Sequence, residues 1–274
     1  MGNLFAMNFE KEGKGVPEAE QKENGFFRFF HIIRRKFWGM LRLNFLQVIG
    51  TLPAFIVSAF FISYFYQGLM PDDVEYDLAI RILFAFLMIA TQLVTIGPIQ
   101  AGFIYCMRNY AREEHVFIWS DFVKGIKENW KRAFAVGFID FVVVSFLFYT
   151  YSFYNVNDEA TGTLGFVFRV IIVVQLIIFI MMHFYLYPMM VTLDLTVQQL
   201  YGNALRFAIA RFLSNIGVLL ILVAFALLAF VNVLAALFII LLFGYALPNF
   251  LTTFYAYGAI DQYIIKKVEE TAKH

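Results

Sequence analysis

Long apolar runs separated by short polar stretches constrain this chain more than any other feature, because the sign of the polar stretches alternates. All but Arg81 and Arg169 of its 21 Lys and Arg residues fall in four stretches. Two loops between those stretches are acidic instead: Asp72, Asp73, Glu75 and Asp77 mark the first, Asp158 and Glu159 the second. Cytoplasmic loops of membrane proteins accumulate Lys and Arg, so the alternation reads as repeated crossing of a bilayer with both termini inside. Composition agrees, with 61% hydrophobic residues, 15% charge and a mean hydropathy of +0.73. Those values lie far from the soluble globular norm.

A hydrocarbon core of about 30 Å takes roughly 20 apolar residues per helix. Six segments meet that length, predicting an all-α, polytopic transmembrane bundle. The first five run from about Asn44 to Tyr66, Leu78 to Cys106, Ala133 to Phe153, Leu164 to Val191 and Leu213 to Phe230. The sixth runs from about Val233 to Gly258, after a turn at Val231-Asn232. Five spans would strand Lys266, Lys267 and Lys273 outside, so the charge rule favours six. Residues 1–24 read as a polar, disordered cytoplasmic tail without the apolar core of a signal peptide, 25–265 as the membrane domain, and 266–274 as a cytoplasmic C-terminal tail.

Each basic stretch before an odd-numbered span has an amphipathic pattern: Phe29 to Trp38, Trp119 to Lys131 and Val197 to Phe207. Phe122, Ile126 and Trp130 recur at helical spacing, with Lys124, Lys127 and Lys131 on another face. Such segments are expected to lie in the interface, aromatic groups dipped and lysines toward anionic headgroups. Each even-numbered span carries a proline, Pro98, Pro188 or Pro248, predicting three helix kinks and a threefold repeat of interfacial helix, short span and kinked long span.

Ionisable groups inside a span cost about 2.5–3.5 kcal/mol on insertion scales and mark candidate sites. Asp140 in the third span and His183 in the fourth fall at similar depth, predicting an intramembrane polar pair, structural or proton-responsive. Arg81 and Arg169 sit just inside the outer ends of even spans, either snorkelling or pairing with loop acids, or forming a shared outer vestibule for an anion. Gln92, Gln100, Gln175, Asn215 and Asn249 read as interhelical amides. No residue set reads as catalytic, and no cofactor is implied: phosphate-binding and dinucleotide glycine loops are absent, and no local signature frames a nucleophile. A single cysteine, Cys106, and four scattered histidines give no metal motif. The basic stretches, interleaved with aromatics and next to spans, fit lipid headgroups better than nucleic acid.

Several elements together resemble the YesL-like family of bacterial integral membrane proteins, a domain of unknown function. They are Gly25-Phe26-Phe27-Arg28-Phe29-Phe30, Leu43-Asn44-Phe45, Thr95-Ile96-Gly97-Pro98-Ile99-Gln100-Ala101-Gly102, and Trp119-Ser120-Asp121-Phe122 with Asn129-Trp130-Lys131. The resemblance runs from about residue 25 to the end and implies a cell (inner) membrane protein associated with carbohydrate uptake. On that basis the chain is expected to be a non-enzymatic accessory or scaffold, with the bilayer and a carbohydrate ABC transporter or other membrane proteins as partners. Its interaction surface is expected at Asp121, Phe122, Lys124, Lys127, Trp130 and Lys131. The alternative is a small transporter or channel in its own right, with the kinked helices lining a pathway.

Overall fold

The computed structural model describes residues 25–66, 74–228 and 232–265. The expected tails, together with Asp72, Asp73 and Val231, lie outside the described residues. Among those described there is no strand, and four helices carry most of the chain: α1 (Gly25–Tyr66), α2 (Val74–Ala111), α3 (Ile118–Val156) and α4 (Asp158–Thr192). Four shorter ones follow: α5 (Val197–Ala210), α6 (Phe212–Leu227), α7 (Val233–Leu242) and α8 (Ala246–Ile260), the last running into a π turn over Asp261–Ile265. By length and hydropathy α1 to α4 can each cross a membrane, and α5–α6 and α7–α8 form two bent pairs, giving six spans when each pair counts as one. The chain is an all-helical, membrane-embedded protein.

Three sequence expectations change. The stretches Phe29 to Trp38 and Trp119 to Lys131 are not separate interfacial helices but the opening turns of α1 and α3. Nothing between them and the spans breaks a helix, so propagation continues. Only the third stretch forms its own helix, α5, which meets α6 at 94°. Pro98 and Pro188 lie inside helices that run on past them, whereas Pro248 sits in the first turn of α8, after a break at Phe243–Tyr245 that bends the pair by 52°. Proline is well tolerated in a first turn, where its missing N–H has no partner to lose. The third unit therefore departs from the first two in both of its helices, each of which is a bent pair in place of one long helix.

Helix ends follow local chemistry. Thr196 and Gln199 form a capping box at the start of α5. Asn232 caps α7, its side chain accepting from the Leu234 N–H, so the expected turn before the last span is where a helix begins. α2 ends in a Schellman motif: Glu114 N–H donates to Asn109 O and Glu113 N–H to Tyr110 O. Glu113 takes the left-handed position usually held by glycine, at φ 62°. Gly162, at φ 52°, takes a conformation open mainly to glycine and kinks the start of α4.

Burial concentrates toward the end of the bundle that carries Arg28, Arg108 and Arg132, here called the basic end. Ala101 to Ala111 of α2 and Met181 to Val191 of α4 supply many core side chains there, with Leu43 of α1 and Phe250 and Ala256 of α8. Toward the opposite, acidic end, Phe55, Phe60, Phe86, Phe146 and Phe166 are exposed, as side chains facing lipid should be. The α2–α3 crossing is unusually close. A Cβ on Gly102 would stand 2.5 Å from Phe122 O, and one on Gly97 2.6 Å from Ala133 O. Phe122 and Ile126 pack into this crossing rather than dipping into the bilayer, which corrects their expected placement.

Candidate functional site

α3, α4 and α5 bring three polar side chains together. His183 Nε2 lies 3.0 Å from Asp140 Oδ2, and Tyr201 OH donates to Asp140 Oδ1 at 2.6 Å. His183 Nδ1 lies 2.8 Å from Phe179 O. A carbonyl oxygen only accepts, so Nδ1 must carry a hydrogen. One further proton is then shared across the Asp140–His183 contact, giving either a carboxylate facing an imidazolium or a carboxylic acid donating to neutral imidazole. Both side chains keep roughly a quarter of their surface exposed, at 21% and 27%. An apolar cleft of about 560 Å³ adjoins the pair, lined among others by Phe146, Gln175, Phe179 and Leu205. Phe179 meets the His183 ring edge-on at 4.7 Å. The arrangement can hold and exchange one proton. It contains no nucleophile, and among the described residues no three His, Cys, Asp or Glu gather to hold a metal.

Buried amides close the two helix breaks. Asn44 of α1 donates to Ile240 O and Leu241 O at 2.9 and 2.8 Å and accepts from Tyr245 N–H and Ala246 N–H at 2.9 and 3.0 Å. An asparagine has two donors and two acceptor sites, so Asn44 spends its whole capacity on the α7–α8 break. Asn215 of α6 donates to Phe207 O and Ala208 O, while its Oδ1 accepts from Tyr185 OH and Tyr255 OH. A third set links three helices: Gln47 donates to Gln100 at 3.0 Å, and Gln100 donates to Asn249 at 2.6 Å.

Arg81 and Arg169 are engaged by different elements. Arg81 pairs with Asp77 one turn earlier at 2.9 Å and lies over the rings of Tyr64 and Phe65. Asp77, expected in an outer loop, is instead fully buried in the first turn of α2 and also accepts from Tyr64 OH at 2.8 Å. Arg169 reaches Asn155 of α3 at 3.5 Å.

At the basic end, Lys124, Lys127, Trp130 and Lys131 are exposed, and Trp119 beside them is 68% exposed. Phe122 is buried, and Asp121 accepts from the Phe117 N–H at 2.9 Å to cap α3. Two of the six residues expected to form the interaction surface thus serve the fold. Arg132 ties this surface to the α4–α5 turn through Leu193 O, Asp194 and Leu195 O. Glu113 is clasped by Arg28 at 2.9 Å and by Arg35.

Sequence reasoning missed Tyr201 and Asn44 as site residues. Tyr201 lies in a stretch that reads as amphipathic surface, and its i, i+4 neighbours give no hint of Asp140. Asn44 was visible only as a polar residue opening a span.

Fold and site together define a membrane-embedded helical protein with a polar trio, Asp140, His183 and Tyr201, joining three of its helices. The segment 78–151 matches a family model described as a protein of unknown function, DUF624. The matched segment is well under half of the chain and covers most of α2 and α3, including the close glycine crossing, the Lys124–Lys131 surface and Asp140. No curated protein and no solved structure matches the chain.

Proposed function

We propose that this protein is a non-enzymatic accessory or scaffold component of the bacterial cell membrane, with both termini cytoplasmic, that serves a carbohydrate uptake system. The association with carbohydrate uptake comes from the YesL-like resemblance. The observation that carries the scaffold reading is the closure of both helix breaks by Asn44 and Asn215. Transporters leave such interrupted backbone free to bind substrate or ions. Here Asn44 takes four such groups at the α7–α8 break, and Asn215 takes two carbonyls at the α5–α6 break. Docking then falls to the exposed face bearing Trp119, Lys124, Lys127, Trp130 and Lys131, with a membrane transporter as partner.

The second reading, a small transporter, is favoured by the Asp140–His183–Tyr201 trio beside an apolar cleft. Uptake of labelled oligosaccharides into liposomes holding only the purified protein separates the two. The scaffold reading expects flux equal to that of empty liposomes, together with co-purification of an oligosaccharide transporter from membranes. Flux above background that is lost in Asp140→Asn would replace it with the transporter reading.

A further inference from the structure

A groove of about 860 Å³ opens at the basic end between the first turns of α1, the length of α6 and one face of α8. Its volume is in the range of sites that hold a small organic molecule. Phe29, Phe30, Leu222, Phe225 and Leu251 make its walls apolar. Among the described residues no carboxylate lines it, and Arg211 and Gln262 are its only strongly polar members. The Arg211 guanidinium lies 4.7 Å over the Tyr255 ring, and among the described residues it enters no ion pair. Along α6, the path from Arg211 to Phe225 measures roughly 20 Å at the helical rise. That exceeds the ~15 Å that the chains of one leaflet fill.

Gly258 of α8 lines the groove and has nothing within 4 Å of a built Cβ, so the groove has room for a larger side chain at this position.

We infer that this groove is a binding site for an anionic phospholipid, its acyl chain lying against α6 and α8 and its phosphate held by Arg211. Basic pockets between membrane helices recognise such headgroups. The apolar walls give the chain a place that a free anion would not need.

The test measures thermal stabilisation and lipid retention of the purified full chain with phosphatidylglycerol and with phosphatidylcholine of identical chains. Phosphatidylglycerol is expected to bind more tightly, by about fivefold for one well-placed arginine. Arg211→Gln should remove that preference, and Arg211→Lys should keep most of it. Gly258→Phe should fill the groove and abolish retention of both lipids while the lipid-free protein melts as before. Equal binding of the two lipids, or a preference that survives Arg211→Gln, overturns the proposal. So does stabilisation reproduced by inorganic phosphate alone, which would make Arg211 a free-anion site. Lipid retention gained only on deleting residues 1–24 would assign the groove to the chain's own N-terminal segment instead.

Discussion

Asn44 and Asn215 do the same thing at two different breaks: each donates its side-chain amide to two carbonyls in the last turn of a terminating helix. Asn44 reaches across from α1 to α7, and Asn215 reaches back from α6 to α5. A helix end leaves carbonyls without partners, and in hydrocarbon no water supplies them. Both asparagines are fully buried, so the bends exist because a side chain satisfies the backbone they open.

Asn44→Leu should therefore destabilise the protein by about 2 kcal/mol or more, since it orphans two carbonyls and two N–H groups at once. Asn215→Leu should cost a similar amount and also free the Tyr185 and Tyr255 hydroxyls. Denaturant unfolding in mixed micelles reads both. A change within experimental error for Asn44→Leu would show that the α7–α8 break is satisfied by other means.

The trio makes a different prediction. Because Nδ1 of His183 faces a carbonyl, nitrogen NMR of the imidazole should find Nδ1 protonated at every pH at which the protein stays folded. Removing the Tyr201 hydroxyl by Tyr201→Phe should cost about 1 kcal/mol, the usual net worth of a buried hydrogen bond. A double-mutant cycle of Asp140→Asn with His183→Gln should show a coupling of about 0.5–2 kcal/mol. Additive costs would mean that the 3.0 Å contact carries no energy.

Glu113 sets an acid limit on the basic end. Its partial burial works toward protonation, but hydrogen bonds from Arg35 and Arg28 outweigh this and hold its carboxyl below its ordinary value of 4.5. With the folded value depressed, the clasp contributes stability above pH 4.5, and that contribution disappears as the pH falls through the folded value. Glu113→Gln should flatten this acid limb of the melting curve and reduce its salt dependence. Glu113→Gly also loses the clasp but relieves a left-handed backbone that costs about 1 kcal/mol, so it should melt above Glu113→Gln.

Charge reversal of Lys124, Lys127 and Lys131 tests the docking face. These side chains are exposed, so their replacement by Glu should leave unfolding within about 0.5 kcal/mol of the parent. Co-purification of membrane partners should be lost. Retention of every partner would remove the face from the scaffold reading.

The spans were legible because hydropathy and charge sign act on whole segments and need no knowledge of tertiary contacts. Asp140 and His183 were legible for the same reason: antiparallel neighbours at equal depth can meet, and these do. The α5–α6 break was legible too, since Val197 to Phe207 reads as a helix of its own before the fifth span. The α7–α8 break was not, and its proline sits past the break instead of causing it. What fixes that second break is Asn44, nearly two hundred residues earlier in the chain, and no local window contains both. The continuity of α1 and α3 was hidden by the opposite error. An amphipathic stretch beside a span reads as an interfacial helix, although the same pattern arises when the first turns of a long helix pack one face on a neighbour, as Phe122 and Ile126 do.

Two glycines with the same propensity cost should respond oppositely to alanine. Gly217 lies exposed in α6 with nothing within 4 Å of a built Cβ, so Gly217→Ala should stabilise by up to about 1 kcal/mol. Gly102 gains the same propensity term, but its Cβ would meet Phe122 O at 2.5 Å and the Ile126 side chain at 2.7 Å. The obstructing oxygen belongs to the backbone and cannot rotate away, so α2 and α3 must separate. Overpacking of this kind costs about 1–3 kcal/mol, more than propensity returns. Gly102→Ala should therefore lower stability, with Gly125, whose own Cβ would stand 2.9 Å from Gly102 Cα, failing in the same way. Equal unfolding midpoints for Gly102→Ala and Gly217→Ala would mean that the α2–α3 crossing is looser than these distances require.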